Sequence, residues 1–180
     1  MVQFKGKKII PLSKKKLALL LVGSTMFVVI GLSFILTAII VNNPLIGNKI
    51  FLFISGISSF LFSGLCAIYS GIKLKDDKPG IIIDNFGITD NSSGLSVGQI
   101  LWTDIESISI YQMLLQKFII LKVTNPQEYI DKEENNYKRK MMILNYKMCG
   151  SPISIGSNSL EISFNGLLSN ITDSFNANRQ

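Results

Sequence analysis

Two long uninterrupted apolar runs open the chain, and shorter alternating patterns follow them. Leu17–Val41 (LALLLVGSTMFVVIGLSFILTAIIV) and Ile50–Ser70 (IFLFISGISSFLFSGLCAIYS) contain no Asp, Glu, Lys or Arg. About 20 apolar residues in helical form cross the roughly 30 Å of hydrocarbon in a bilayer, so the pattern predicts two transmembrane helices, over 17–41 and 50–72. Between them NNPLIGN, with Pro44 and Gly47, carries turn residues and predicts a short external loop over 42–49.

After Pro79-Gly80, itself a turn pair, the period shortens. Ile81–Asp84 predicts a short strand and Asn85–Gly87 a turn, with extended chain resuming at Ile88-Thr89. Asp90–Gly94 is a polar loop and Ser96–Trp102 a further strand, closed by a turn at Thr103-Asp104. Ile105–Gln112 alternates, with Ile108 and Ile110 on one side and Ser107 and Ser109 on the other. Lys117–Thr124 sets Ile119, Leu121 and Val123 against Phe118 and Ile120. Both patterns are those of strands, and strands spaced this closely predict an antiparallel meander.

Helical periodicity then takes over. Asn125 caps, Pro126 suits the first helical position and Glu128 lies three residues past the cap. Glu134 and Lys138 have the spacing of a helical ion pair, and Tyr137–Cys149 places Tyr137, Met141, Leu144 and Met148 on one apolar stripe. Asn135 and Asn136 are positioned to divide the region into two helices, and Gly150 and Pro152 end it. Pro152–Ile155 and Leu160–Ser163 are short strand candidates. Gly166–Asn176 predicts a terminal helix, capped by Ser163 or Asn165, with Leu167, Leu168, Ile171 and Phe175 inward. The fold class is therefore α+β: an apolar two-helix hairpin, then a small antiparallel-sheet domain with helices over 80–180.

Charge orients this picture. The chain carries a net +6, unevenly: residues 1–79 hold ten Lys and two Asp, whereas residues 80–180 hold eight basic residues against ten acids. Lys5, Lys7, Lys8, Lys14, Lys15 and Lys16 make residues 1–16 a basic leader, and Lys73, Lys75 and Lys78 follow the second run. Lysine thus flanks the hairpin on its outer sides and is scarce inside it, which places both termini in the cytoplasm by the positive-inside rule. A cleaved signal peptide has an apolar region of only about 7–15 residues and a small-residue cleavage site; a longer run followed by a second predicts a retained anchor instead. Positive charge beside the membrane and an acidic remainder fit anionic lipid as a partner and argue against nucleic acid.

Candidate chemistry is sparse. There is no His, which removes the commonest general base and nitrogen ligand. Cys66 and Cys149 lie far apart and make neither a disulfide framework nor a zinc spacing. Phosphate-binding, zinc-protease and nucleophile-elbow motifs are absent, so no catalytic residue, metal or cofactor is expected. Asp84-Asn85 and Asp90–Ser93 read as turns, far short of a calcium loop. Lys138, Arg139, Lys140 and Lys147 lie beside or opposite the apolar stripe, and two readings stay open: contact with anionic lipid, or solvated charges on a helix that packs on the sheet. Small residues in the runs (Gly23, Ser24, Gly31; Ser55, Gly56, Ser59, Ser63, Gly64) likewise allow packing of one helix on the other or a homo-oligomer or partner face.

The order of motifs carries a resemblance. A Lys-flanked hairpin precedes PGIIID (Pro79–Asp84), GITDNSSG (Gly87–Gly94), then Ile100, Trp102, Asp104, Ile105 and Ile108, NPQEYI (Asn125–Ile130) and GSPISI (Gly150–Ile155). Over nearly its whole length the chain resembles a family of small, functionally uncharacterised bacterial inner-membrane proteins. The part after the hairpin is similar to bacterial pleckstrin-homology-like domains. That resemblance implies a bent sheet of about seven strands with a helix against its open end, a core role for Trp102, a turn held by Asp104, and an insertion at Pro126–Cys149. The function implied is a non-enzymatic interaction or scaffold module at the cytoplasmic face of the inner membrane, binding a membrane or cytoplasmic protein. Anionic-lipid sensing is the second reading, and an enzyme acting on a membrane substrate the third.

Overall fold

A computed structural model describes residues 7–40 and 48–178. Two compact units form, residues 14–77 and a second unit built from residues up to Ser13 together with those from Lys78 onward. The loop expected at 42–49 lies outside the described residues except for Asn48 and Lys49.

The first unit is a helical hairpin. Helix α1 spans Lys14–Ile40 and α2 spans Lys49–Lys75, 27 residues each. The Asn48 side chain accepts from the Ile50 and Phe51 amides at 3.0 and 3.3 Å and so starts α2. At the other end the Lys14 ammonium donates to the Leu74 and Asp76 carbonyls, 2.7 Å each, and satisfies oxygens that the end of α2 leaves unpaired. The helices meet through small residues: Gly31 and Gly56 are backbone to backbone, and Ser59 Oγ donates to the Phe27 carbonyl at 3.2 Å. Packing of one helix on the other is what Gly31, Gly56 and Ser59 do here.

Among the described residues the second unit is a domain of seven strands in two sheets. Its first strand comes from the basic leader: β1 (Lys8–Ile10) pairs antiparallel with β2 (Ile81–Ile83), Lys8 opposite Ile83 and Ile10 opposite Ile81. The expected domain boundary at 80 therefore moves: the leader from Lys8 is structural, and the helical hairpin is an insertion between two neighbouring strands. The reason is that Ile10 and Leu12 are buried here, and β1 covers what would otherwise be an open edge of β2. Strand β3 (Gly87–Asp90) pairs with β2, and β4 (Gly98–Leu101) with β3, giving a four-stranded sheet ordered β1-β2-β3-β4. After a 3-10 turn at Trp102–Asp104 come β5 (Ile105–Met113) and β6 (Gln116–Val123). Helices α3 (Pro126–Lys132) and α4 (Asn136–Cys149) follow, then β7 (Ser154–Gly156) and α5 (Phe164–Asn178). Strands β5, β6 and β7 form the second antiparallel sheet.

Most expected elements form near their expected bounds, with informative exceptions. Trp102 leaves its strand for the 3-10 turn, where its indole N–H donates to the Asp84 carbonyl at 2.8 Å and its ring lies 6.4 Å from Phe175. Asn125 precedes α3 without a side-chain cap bond, and Glu128 instead pairs with Lys132 at 2.7 Å. The chain breaks at Glu133–Asn135, so Glu134 and Lys138 do not share a helix; Lys138 pairs with Glu133 at 3.8 Å. Leu160–Ser163 is not a strand: Leu160 makes an isolated bridge with Leu12, and Ser163 caps α5 through the Gly166 amide at 3.2 Å.

The core follows the alternation. Ile81, Ile83, Ile88, Ile100, Ile119, Leu121, Ile155, Leu167 and Ile171 are fully buried. The β5 side chains Ile108 and Ile110 face Leu168 and Phe175 of α5, while Phe118 and Ile120 share a small cleft with Asn145 and Met148 of α4. The β5–β6 sheet is thus covered by α5 on one face and α4 on the other, which is why Ile120 is buried as completely as Ile119.

Candidate functional site

The four cations singled out above all lie on α4. Its start is set by Asn135, whose side chain accepts from the Tyr137 and Lys138 amides at 3.0 and 3.2 Å, and its end by Gly150 in the left-handed conformation, φ 73°. Two of the four are engaged. Arg139 pairs with Asp131 at 2.6 Å and Lys138 with Glu133 at 3.8 Å, which folds α4 back on α3. Lys140 and Lys147 are exposed, and neither takes part in an ion pair among the described residues.

The buried face of α4 differs from the expected stripe. Tyr137, Leu144 and Met148 are 68, 45 and 47% exposed, whereas Met142 is buried. Asn145 donates to Ser154 Oγ of β7 at 3.2 Å, and Cys149 lines the same cleft. Residues 142, 145 and 149 form the inward face, one position along from the apolar stripe. Asn145 hides this face from a hydropathy reading, because its partner is a serine on a distant strand. Burial raises the Cys149 thiol above its usual pKa, which keeps it protonated and a poor nucleophile.

A second cleft, about 240 Å³, lies between β4, the 3-10 turn and α3, and is lined by Val97, Gln99, Leu101, Asp104, Tyr129, Lys132 and Glu133. Its centre is the bond from the Tyr129 hydroxyl to Asp104 Oδ2, 2.7 Å. Asp104 also accepts from Thr103 Oγ1 at 3.1 Å, and its backbone carbonyl takes the Thr124 amide at 2.9 Å. Burial, then the Asp104 carboxylate, pushes the Tyr129 phenol well above its normal pKa. A hydroxyl held this firmly protonated is a donor, and the pair ties α3 to the turn after β4. Asp104 was expected to hold this turn. Tyr129 was missed, although Tyr129 and Ile130 are an apolar pair among the polar residues of α3, which is the signal that they face inward.

This tie has a pH signature. A phenol whose folded pKa is raised contributes stability that is complete below the unfolded value of about 10 and is lost as pH rises above it. Tyr129→Phe is expected to cost about 1 kcal/mol at neutral pH and to flatten the alkaline decline above pH ~10. Denaturant unfolding of both proteins across that range measures it; parallel declines would contradict the assignment.

Elsewhere the chemistry is that of turns. Asp84 Oδ1 accepts from the Phe86 and Gly87 amides at 2.9 and 3.1 Å, and Asp90 Oδ1 from Ser92 at 2.8 Å. Among the described residues no group of three or more His, Cys, Asp or Glu side chains is placed to hold a metal.

Comparison with known proteins adds no family: no family model, no curated protein and no solved structure matches this chain. What stands of the resemblance is the architecture, an apolar two-helix hairpin combined with a small antiparallel-sheet and helix domain.

Proposed function

We propose that this is a non-catalytic, membrane-anchored interaction module of a bacterial inner membrane. The α1–α2 hairpin spans the bilayer with both tails in the cytoplasm, and the sheet unit, read as pleckstrin-homology-like, presents a binding surface there. The supporting observation is the pair of 27-residue helices, whose most apolar 18-residue stretches have mean hydropathy 2.5 and 2.0 with only 11% of their residues buried. A core helix of a water-soluble protein is apolar because it is covered; these expose Leu19, Met26, Phe51 and Phe62. At 1.5 Å per residue each is roughly 40 Å long, enough to cross hydrocarbon and headgroups. Four antiparallel strands, then three, then a terminal helix support the pleckstrin-homology-like reading. The module acts by holding its surface at high local concentration beside membrane partners.

A topology reporter fused after Gln180, together with carbonate extraction of membranes, tests the anchor. The expected result is cytoplasmic reporter activity and retention in the pellet; release into the supernatant would overturn it. A fragment starting at Lys78 is unsuitable for partner capture, because it lacks β1; cross-linking of the full chain in its membrane is the right form.

Anionic-lipid sensing is supported by one observation, the exposed cations of α4. Because Lys138 and Arg139 are already paired with acids, Lys140 and Lys147 should carry the effect. Phosphatidylglycerol added to the detergent-solubilised full chain is expected to raise Tm, and Lys140→Gln with Lys147→Gln to abolish that rise. An equal loss from neutralising Lys138 and Arg139 would contradict this division of roles.

A further inference from the structure

The β5–β6 hairpin closes through two residues, Leu114 and Leu115, between the paired Met113 and Gln116. A two-residue hairpin loop usually places Gly or Asn where φ is positive. Here Leu114 takes φ 54°, the one positive φ outside glycine among the described residues. Both side chains point away from the protein, Leu114 88% and Leu115 99% exposed. A bulky apolar residue is thus held in an unfavourable conformation and displayed to its surroundings, against the usual preference on both counts.

The surroundings of this tip match one kind of occupant. From Ser107 to Gln127 the sequence has no acidic residue, and its charges are Lys117 and Lys122. Met113, behind the tip, lines a cleft with Met148 of α4, next to the exposed Lys147. Lys140, Leu144, Lys147 and Met148 share one helix face by their spacing. An apolar projection with Lys117 just beyond it on β6 and Lys147 beside its cleft suits the interface of an anionic bilayer, where leucines enter the acyl boundary and ammonium groups meet headgroups.

Position within the sheet unit agrees. The Lys117 ammonium lies 6.0 Å from the centre of the Phe164 ring, at the start of α5. Three residues before Phe164, the Glu161 amide donates to the Pro11 carbonyl, and Ser13 donates to Ser159 at 2.7 Å. The opposite end of α5 carries Phe175, against Trp102. The tip therefore belongs to the end of this unit where the chain leaves for α1, and Trp102 and Phe86 to the other.

We infer that the Met113–Leu115 tip inserts into the lipid interface of the membrane that holds α1 and α2, fixing the sheet unit against the bilayer. This rests on the spanning reading proposed above. The test uses the full chain in phosphatidylcholine–phosphatidylglycerol nanodiscs, with Cys66 and Cys149 replaced by Ala and a nitroxide placed in turn at Leu115→Cys, Leu32→Cys and Phe86→Cys. Collision with oxygen reports lipid, and collision with a water-soluble nickel chelate reports solvent. The expected result is loss of nickel access at positions 115 and 32, with oxygen access high at both, while position 86 stays nickel-accessible. A nickel-accessible label at 115 beside a lipid-exposed label at 32 would overturn the tip and leave the span standing. A label at 115 shielded from both reagents would also overturn it, in favour of a protein covering. Nickel access at 32 would overturn the spanning reading and the tip with it.

Discussion

Gly87→Ala is expected to destabilise the sheet unit by about 2–4 kcal/mol, well beyond an ordinary surface change. Gly87 lies opposite Leu101 where β3 and β4 begin to pair, and a Cβ there would overlap the Ile100 carbonyl oxygen, with Leu101 Cα only 2.9 Å away. These neighbours are backbone, so no side-chain rotation relieves the clash. The strands must separate, and their separation reaches the core. Phe86 O accepts the Trp102 amide at 3.1 Å, the Trp102 indole bonds Asp84, and Ile88 and Ile100 are fully buried on these strands. Trp102 is the single tryptophan of the chain, so its fluorescence reports unfolding of this site directly. For a domain of this size each kcal/mol moves Tm by about 4–8 °C, so a fall of at least about 8 °C is expected. Gly98→Ala is the contrast. Gly98 has φ 80° but open space around its Cβ position, so only conformational strain of about 1–2 kcal/mol is added. Equal losses at the two glycines would show that β3 and β4 do not approach as described.

Local periodicity carries most of this architecture. The alternation of Ile105–Gln112 and Lys117–Thr124 and the inward stripe of α5 are signals within single elements, where side-chain period and burial coincide. Non-local consequences were not legible. Lys8–Ile10 reads as part of a charged flank because its partner, Ile81–Ile83, stands some 70 residues away across the whole hairpin. Three residues make too short a strand to announce its period, and the lysines that orient the hairpin mask the isoleucines that pair. The same holds at α4, where hydropathy favours Tyr137, Leu144 and Met148, yet Asn145 and Ser154 select another face by a hydrogen bond between distant segments. Leu114–Gln116 reads as a connection between the two strands, but only the register of Met113 with Gln116 shows that the leucines alone form a two-residue tip.

Replacing Gly31 by Leu is expected to break the α1–α2 contact, at a cost of about 2–4 kcal/mol. A Cβ on Gly31 would stand 2.8 Å from the Phe60 amide nitrogen and 2.9 Å from the Gly56 carbonyl; one on Gly56 would stand 2.8 Å from the Gly31 carbonyl. The helices thus touch backbone to backbone, a proximity only glycine allows, and the Ser59–Phe27 bond depends on it. On the spanning reading proposed above, no hydrophobic drive holds the two helices together in lipid, and close packing is the main source of their affinity. Leucine at position 31 should therefore separate them and lower the Tm of the full chain in detergent, even though leucine favours helix more than glycine does. Gly23 and Gly64 have nothing within 4 Å of their Cβ positions. Leucine at either is expected to leave the hairpin intact, and these two positions decide whether the small residues have a second use. If Gly23→Leu or Gly64→Leu abolishes chemical cross-linking between full-length chains while Tm is unchanged, these two glycines form an oligomer face. If all three variants lose the same Tm, the contact between α1 and α2 does not pass through Gly31 and Gly56.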